Sequence, residues 1–345
     1  MKKRFIFSVL LATSISFLST SHSVNASTKL LKVNHSTNLY SSAGKKTTAR
    51  LTKAITTTYT KSKYFKLGKE KSLLYYLPKY KKWILADKVS LVKSTKKYQQ
   101  AKIVLPKNYT RKNLLQAFTQ TPSIRFKKAC LEGMDKNDFS RIANLAENKR
   151  DDQIKINLNK LTTKQKRELA DFTLKLINQS RKQLDLPAWK YSPSAQKLAD
   201  DIAHQYQVHG KSISDQKGHY IQGITTATKA NGFTDPLIQD NYVENMGGFL
   251  ANKTMTMTQA KKKIYFILKQ MIFGFAGNTE NQRKDQSKYL EWQHAASIFN
   301  TQGSKHDSDW DYFGLSVSRK GKAYTIHFIC IPSFMVKEYH QGTWK

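Results

Sequence analysis

The chain has 345 residues and a formal net charge of +35, enough length for two domains and enough charge to select polyanionic partners. Cys130 and Cys330 are its only cysteines, which excludes a disulfide framework. No apolar run beyond the N-terminus is long enough to cross a membrane.

Residues 1–26 read as a secretory leader. Lys2, Lys3 and Arg4 form its positive start, Phe5 to Leu18 its apolar stretch, and Val24-Asn25-Ala26 a small-x-small cleavage site. A single membrane anchor is the competing reading, but the apolar run is short and polar residues follow it. Removing the three leader cations leaves +32, unevenly spread. Residues 27–110 hold 20 Lys or Arg against Glu70 and Asp87, a net of +18. A cytosolic protein of this charge would point to nucleic acid. Behind a leader, the expected partners are anionic cell wall polymers of the teichoic-acid type, with no nucleic acid involved.

Residues 27–95 read as short strands. Thr56 to Phe65 is rich in Thr, Tyr and Phe, and Leu73–Leu77, Trp83–Leu85 and Val89–Val92 are further short runs. A small all-β barrel or sandwich is expected. Solvated faces and protected edges explain many of its lysines, but not the near absence of acids. Asn38-Leu39-Tyr40-Ser41 and Lys82-Trp83-Ile84-Leu85-Ala86-Asp87-Lys88-Val89 resemble segments of the wall-binding domain of bacterial S-layer proteins. A generic SH3-like wall domain is equally compatible.

Residues 96–160 read as a linker with short helices over Thr110–Thr119 and Ser123–Leu131. Ser123 is a plausible N-cap, and Gly133 is expected to end the second helix. From Leu161 the pattern changes to long amphipathic helices. Thr162 with Gln165 opens the first, and Pro187 is expected to end it. Ser192-Pro193 opens the second, and Thr256 with Gln259 the third, which closes at Gly274. A fourth is expected from about Lys288 to Phe299. Phe313–Val317 and Ala323–Ile331 read as strands joined at Lys320-Gly321-Lys322. Helices flanking strands make this half α+β and layered.

Three segments of this half gather titratable groups: Gly218-His219-Tyr220, Tyr242 to Gly247 around Glu244-Asn245, and Glu291 to Ala295 around His294. Two imidazoles and a carboxylate suit metal ligation or acid–base work. No H-E-x-x-H, no G-x-S-x-G elbow and no Cys-His pair supplies an activated nucleophile.

Residues 161–336 resemble the CAP superfamily of cysteine-rich secretory and pathogenesis-related proteins. Leu176-Ile177-Asn178-Gln179-Ser180-Arg181, Leu198 to Ala203, Glu244-Asn245, His294 and Phe313-Gly314-Leu315 match its ordered motifs. Ile264-Tyr265, Met271-Ile272-Phe273 and Gln293-His294-Ala295 are similar to Gram-positive surface exclusion proteins. The resemblance implies a CAP-type α-β-α sandwich behind the small N-terminal all-β domain, followed by a tail at 337–345. It implies a ligand cavity lined by His219, Glu244, Asn245, His294 and Gln270, the last standing where the family's second Glu is expected. It implies metal ligation by His219, Glu244 and His294, with Zn²⁺ the one cofactor to consider. His209 is a weaker candidate for the first histidine. Without the second carboxylate, the expected function is a secreted, wall-attached protein displaying a non-enzymatic CAP domain to a ligand or protein partner, in surface exclusion or adhesion. A metal-assisted hydrolase and a lipid or sterol carrier are the alternatives. Cys130 and Cys330 are expected to be buried thiols rather than a bridge.

Overall fold

The computed structural model describes residues 15–16, 29–92, 101–139, 150–215, 218–277 and 280–345. Most of the expected leader lies outside these residues; Ile15–Ser16 form a two-residue strand, β1. The chain divides into two compact units, Thr20–Lys97 and Tyr98–Lys345, the latter including the start of the chain.

The N-terminal unit is all-β, as its Thr- and Tyr-rich runs require. It contains β2 (Lys29–Val33), β3 (Thr37–Tyr40), β4 (Lys46–Leu51), β5 (Thr56–Tyr59), β6 (Lys61–Leu67), β7 (Glu70–Leu77), β8 (Lys82–Leu85) and β9 (Val89–Val92). They form a three-stranded sheet, β5-β2-β9, and a five-stranded sheet, β4-β3-β8-β7-β6. The Thr-, Tyr- and Phe-rich run over 56–65 is interrupted at Thr60 and contributes to both sheets. Leu31, Val33, Leu39, Leu51, Tyr59, Leu77, Ile84 and Val89 form the core. Alternation along β3, with Thr37 and Leu39 buried and Asn38 and Tyr40 half-buried, assigns one face to that core and leaves the other outward.

The C-terminal unit is built on a sheet of order β1-β12-β15-β14-β11, with β11 at Lys190–Tyr191, β12 at Glu244–Leu250, β14 at Asp311–Lys320 and β15 at Ala323–Pro332. A separate pair joins β10 (Lys155–Asn157) to β13 (Thr254–Thr256). The helices are α1 (Arg111–Thr119), α2 (Ile124–Lys136), α3 (Thr163–Lys182), α4 (Pro193–Val208), α5 (Ile221–Ala230), α6 (Met257–Phe273), α7 (Trp292–Ile298) and α8 (Ser333–Tyr339). The capping boxes at Thr162/Gln165 and Thr256/Gln259 form as expected, as does the Ser192 cap. Gly274 takes the left-handed conformation that closes α6.

Strand β15 is buried on both faces and shows why the unit has three layers. Tyr324, Ile326, Phe328 and Cys330 join a core with α2, α3, α6 and α7. Ile329 and Ile331 join a second core with Leu198, Ile202 and Tyr206 of α4 and Ile224 of α5. The fold class is therefore α+β, a helix–sheet–helix sandwich.

Several boundaries differ from expectation. The segment read as a linker belongs to the C-terminal unit: Ile103, Tyr109, Leu114, Phe126, Cys130 and Met134 are all in its larger core. Gly133 does not end α2, which continues to Lys136. A Cβ there would stand 2.2 Å from a Phe273 ring carbon, so glycine permits the close approach of α2 to α6. Helix α3 stops at Lys182, five residues before Pro187. The fourth helix is reduced to seven residues after a 3₁₀ turn at Gln286–Lys288. The tail is also structural: Trp344 packs on Phe233 and Tyr312. Cys130 and Cys330 are free and buried. Burial pushes the Cys130 thiol up to about 12.

Candidate functional site

Glu244 opens β12, and three elements converge on its carboxylate. Asn241 sets the approach: its Oδ1 accepts the Glu244 N–H at 2.9 Å and its Nδ2 donates to the Glu244 carbonyl at 3.0 Å. His219, just after the positive-φ Gly218, places Nδ1 2.7 Å from Oε2. Tyr206, near the end of α4, donates its hydroxyl to the same oxygen at 2.8 Å. His327, in mid-β15, places Nδ1 2.5 Å from Oε1. The Tyr206 oxygen also accepts the Tyr220 N–H at 2.7 Å, tying the His219 loop to α4.

The Glu244 side chain has no exposed surface. Burial alone would raise its pKa, but the His327 charge and the hydrogen bonds from His219 and His327 outweigh it and hold the carboxyl well below the usual range. An ionised Glu244 only accepts, so Nδ1 of both histidines donates. The Nε2 of His219 is left for other work, whereas that of His327 meets Ser318 Oγ at 2.8 Å.

Asn245, the next residue on β12, has its side chain on the opposite face. Its Oδ1 lies 2.9 Å from His294 Nδ1, and its Nδ2 donates to Ser297 Oγ one turn along α7 at 3.0 Å. The two imidazoles nonetheless approach each other, with His219 and His294 ring centroids 6.3 Å apart. Burial pulls His294 down to about 4, helped by the nearby His219 and opposed by Glu244. It is neutral at pH 7, with Nδ1 donating to Asn245 and Nε2 carrying a lone pair.

His219, Glu244, Asn245 and His294 thus come together as the CAP resemblance implied. Both Glu244 oxygens are engaged by Tyr206, His219 and His327, so Glu244 orients His219 instead of ligating. No group of three or more His, Cys, Asp or Glu side chains among the described residues is arranged to hold a metal ion. Gln270 donates to Gly277 O at 3.0 Å and secures the turn after α6 rather than joining the histidines. His209 caps the end of α4 through Gln205 O. Burial raises Glu291, the residue before α7, to about 7.

Tyr206, His327 and Ser318 were not found from the sequence. Tyr206 continues the apolar spacing of Leu198, Ile202 and Ala203 along α4, and His327 sits inside the apolar run Ala323–Ile331. A lone imidazole in a strand buried on both sides requires a buried partner, and that was the available signal. Ser318, His327 and Glu244 have the order of a nucleophile, base and carboxylate. Ser318 is only 1 % exposed and His327 is fully buried, so no substrate reaches that hydroxyl.

Solvent reaches the cluster through a cleft of about 390 Å³ lined by Tyr206, Lys211, Ser212, Asp215, His219, Tyr220 and Lys320. Its one carboxylate, Asp215, is paired with Lys320 at 2.6 Å. A larger depression of about 470 Å³ beside Pro106 and Gln183 contains no His, Glu or Cys and is not the site.

No protein-family model matches the sequence, and no curated protein matches it. Among solved structures, the chain is similar to the CAP domain of Enterococcal PrgA. The TM-score is 0.54 and the identity 23 %, over 70 % of this chain and 90 % of that one. That likeness concerns the fold: the C-terminal unit is CAP-like.

Proposed function

We propose that this is a secreted cell-surface protein. The N-terminal unit holds it to anionic cell wall polymer, and the CAP-like unit is displayed as a non-enzymatic binding domain. One observation carries the attachment. Among the described side chains of the N-terminal unit, Lys32, Lys45, Lys46, Arg50, Lys53, Lys61, Lys63, Lys66, Lys69, Lys71, Lys79 and Lys81 are exposed. Only Glu70 and Asp87 oppose them, and Asp87 is already paired with Lys88 at 3.0 Å. Such a field favours a phosphate polymer through release of its counterions.

The His219 cleft supports binding better than turnover. Lys211, Asp215 and Lys320 place charged groups along its walls, which does not suit a sterol or lipid chain. One observation favours hydrolysis, the approach of the His219 and His294 rings to 6.3 Å; against it stand the engaged oxygens of Glu244 and the buried Ser318. Purified walls test the attachment. The full chain sediments with intact walls and stays in solution with walls stripped of phosphate polymer. Equal retention on stripped walls would mean glycan or protein recognition instead.

A further inference from the structure

A single row of side chains crosses all five strands of β4-β3-β8-β7-β6. Lys46 pairs with Tyr40, Tyr40 with Trp83, Trp83 with Tyr76, and Tyr76 with Lys61. Residues paired across strands share a face, so the row reads Lys46–Tyr40–Trp83–Tyr76–Lys61. At a strand spacing of about 4.8 Å it spans about 19 Å. It lies on the sheet face turned away from the unit's main core, where Phe65, Leu74 and Trp83 form a separate small cluster.

Trp83 is buried, whereas Tyr40 and Tyr76 flank it half-exposed. The Tyr76 and Trp83 rings are 5.2 Å apart, and Phe65 meets Trp83 edge-on at 4.9 Å. Lys61 Nζ stands 4.9 Å from the Tyr76 centroid and 5.9 Å from that of Trp83. Lys63 Nζ stands 5.4 Å from the Phe65 ring. These ammonium groups rest on aromatic faces, and Glu70 lies six residues before Tyr76, at the turn of the hairpin. Edge protection accounts for lysines on β4 and β6, the outer strands. It does not account for a half-exposed aromatic row running between them.

We infer that this face is the contact surface for a phosphate-bearing glycan, an inference that rests on the wall-attachment proposal. Sugar rings lie with their C–H faces on Tyr76 and Tyr40, held in place by Trp83. Phosphates pair with Lys61 and Lys63 at one end and Lys46 at the other. A lysine presents a point charge that suits a flexible phosphate polymer, and the rings supply apolar area at low conformational cost.

The test uses the full chain and purified walls carrying a glycosylated polyol-phosphate polymer. The Lys61→Gln/Lys63→Gln variant weakens binding about tenfold, the scale for two lost phosphate contacts. The charge-matched Lys69→Gln/Lys71→Gln variant, at the hairpin turn, weakens it less than about twofold. Tyr76→Phe retains wild-type affinity and Tyr76→Leu loses about fivefold, as lost ring stacking requires. Equal weakening by the two lysine pairs overturns the patch and leaves attachment by a diffuse field intact. Equal affinity of the Tyr76→Leu and Tyr76→Phe variants overturns the stacking. Failure of the wild type to bind walls overturns the attachment and the patch together.

Discussion

Glu244 is the residue around which the CAP-like unit organises its polar chemistry, and its neighbour Asn245 does the same work on the other face of β12. Each holds one imidazole by Nδ1, and the His219 and His294 ring centroids lie 6.3 Å apart. This pairing makes His294 the sensitive reporter. With its pKa pulled down to about 4 against an ordinary 6.5, the folded state binds fewer protons than the unfolded chain between those values. His294 therefore costs stability as pH falls from about 6.5 towards 4. Imidazole NMR of the full chain should show His294 neutral down to about pH 4. A midpoint near 6.5 would mean that the ring is solvated and Asn245 does not hold it. Calorimetry with Zn²⁺ should show weak binding that is abolished by His294→Ala and only reduced by Glu244→Gln, because Glu244 orients and does not ligate. Loss of all binding in Glu244→Gln would restore it as a ligand.

The elements around the site are fastened by buried groups that satisfy one another. Arg181, near the end of α3 and wholly buried, donates to the carbonyls of Pro187, Ile298 and Asp309 and to Asn300 Oδ1. Replacement by Met leaves four acceptors without that donor and should cost about 3 kcal/mol, lowering Tm by roughly 10 °C in a unit of this size. Thermal unfolding checks this, and a loss below 2 °C would contradict it. Asp311 belongs to the same network. Burial raises it to about 7, although the Asn300 hydrogen bond and Arg181 pull the other way. The folded state then binds the extra proton, so stability is lost as pH rises from about 4 to 7. Asp311→Asn should gain more stability over wild type at pH 8 than at pH 5; the reverse order would place an ionised carboxylate there.

The elements also show what sequence pattern can reveal. Helices α3, α4 and α6 announced themselves by cap chemistry, because Ser and Thr N-caps and a left-handed Gly act locally. Helix α5 and strand β12 did not. Ile221–Ala230 is short with small residues, and Glu244–Leu250 contains two glycines packed under Ile267 and Ile213, so neither shows a clear apolar period. Glu244, Asn245, His219 and His294 were legible through motif order. Their partners Tyr206 and His327 were not, since hydrogen bonding across 38 and 83 residues of chain leaves no local trace. The core positions within 101–139 leave little local trace for a related reason. Apolar residues are sparse in that stretch of sequence, and only the tertiary fold gathers Ile103, Tyr109 and Phe126 into the core.

At the scale of the whole molecule, charge and chemistry are divided. The N-terminal unit carries exposed lysines on an all-β frame with almost no acid. The CAP-like unit carries a closed polar cluster around Glu244, with a cleft at His219 and the His294 ring beside it. Such a division suits a protein held by one unit and recognised through the other. The salt dependence of the full chain's affinity for purified wall phosphate polymer tests the attachment most directly. Counterion release predicts a straight fall of log affinity with log salt, with a slope of magnitude about 3 or more if several lysines each neutralise a phosphate. A flat line, with affinity unchanged from low to high salt, would contradict it.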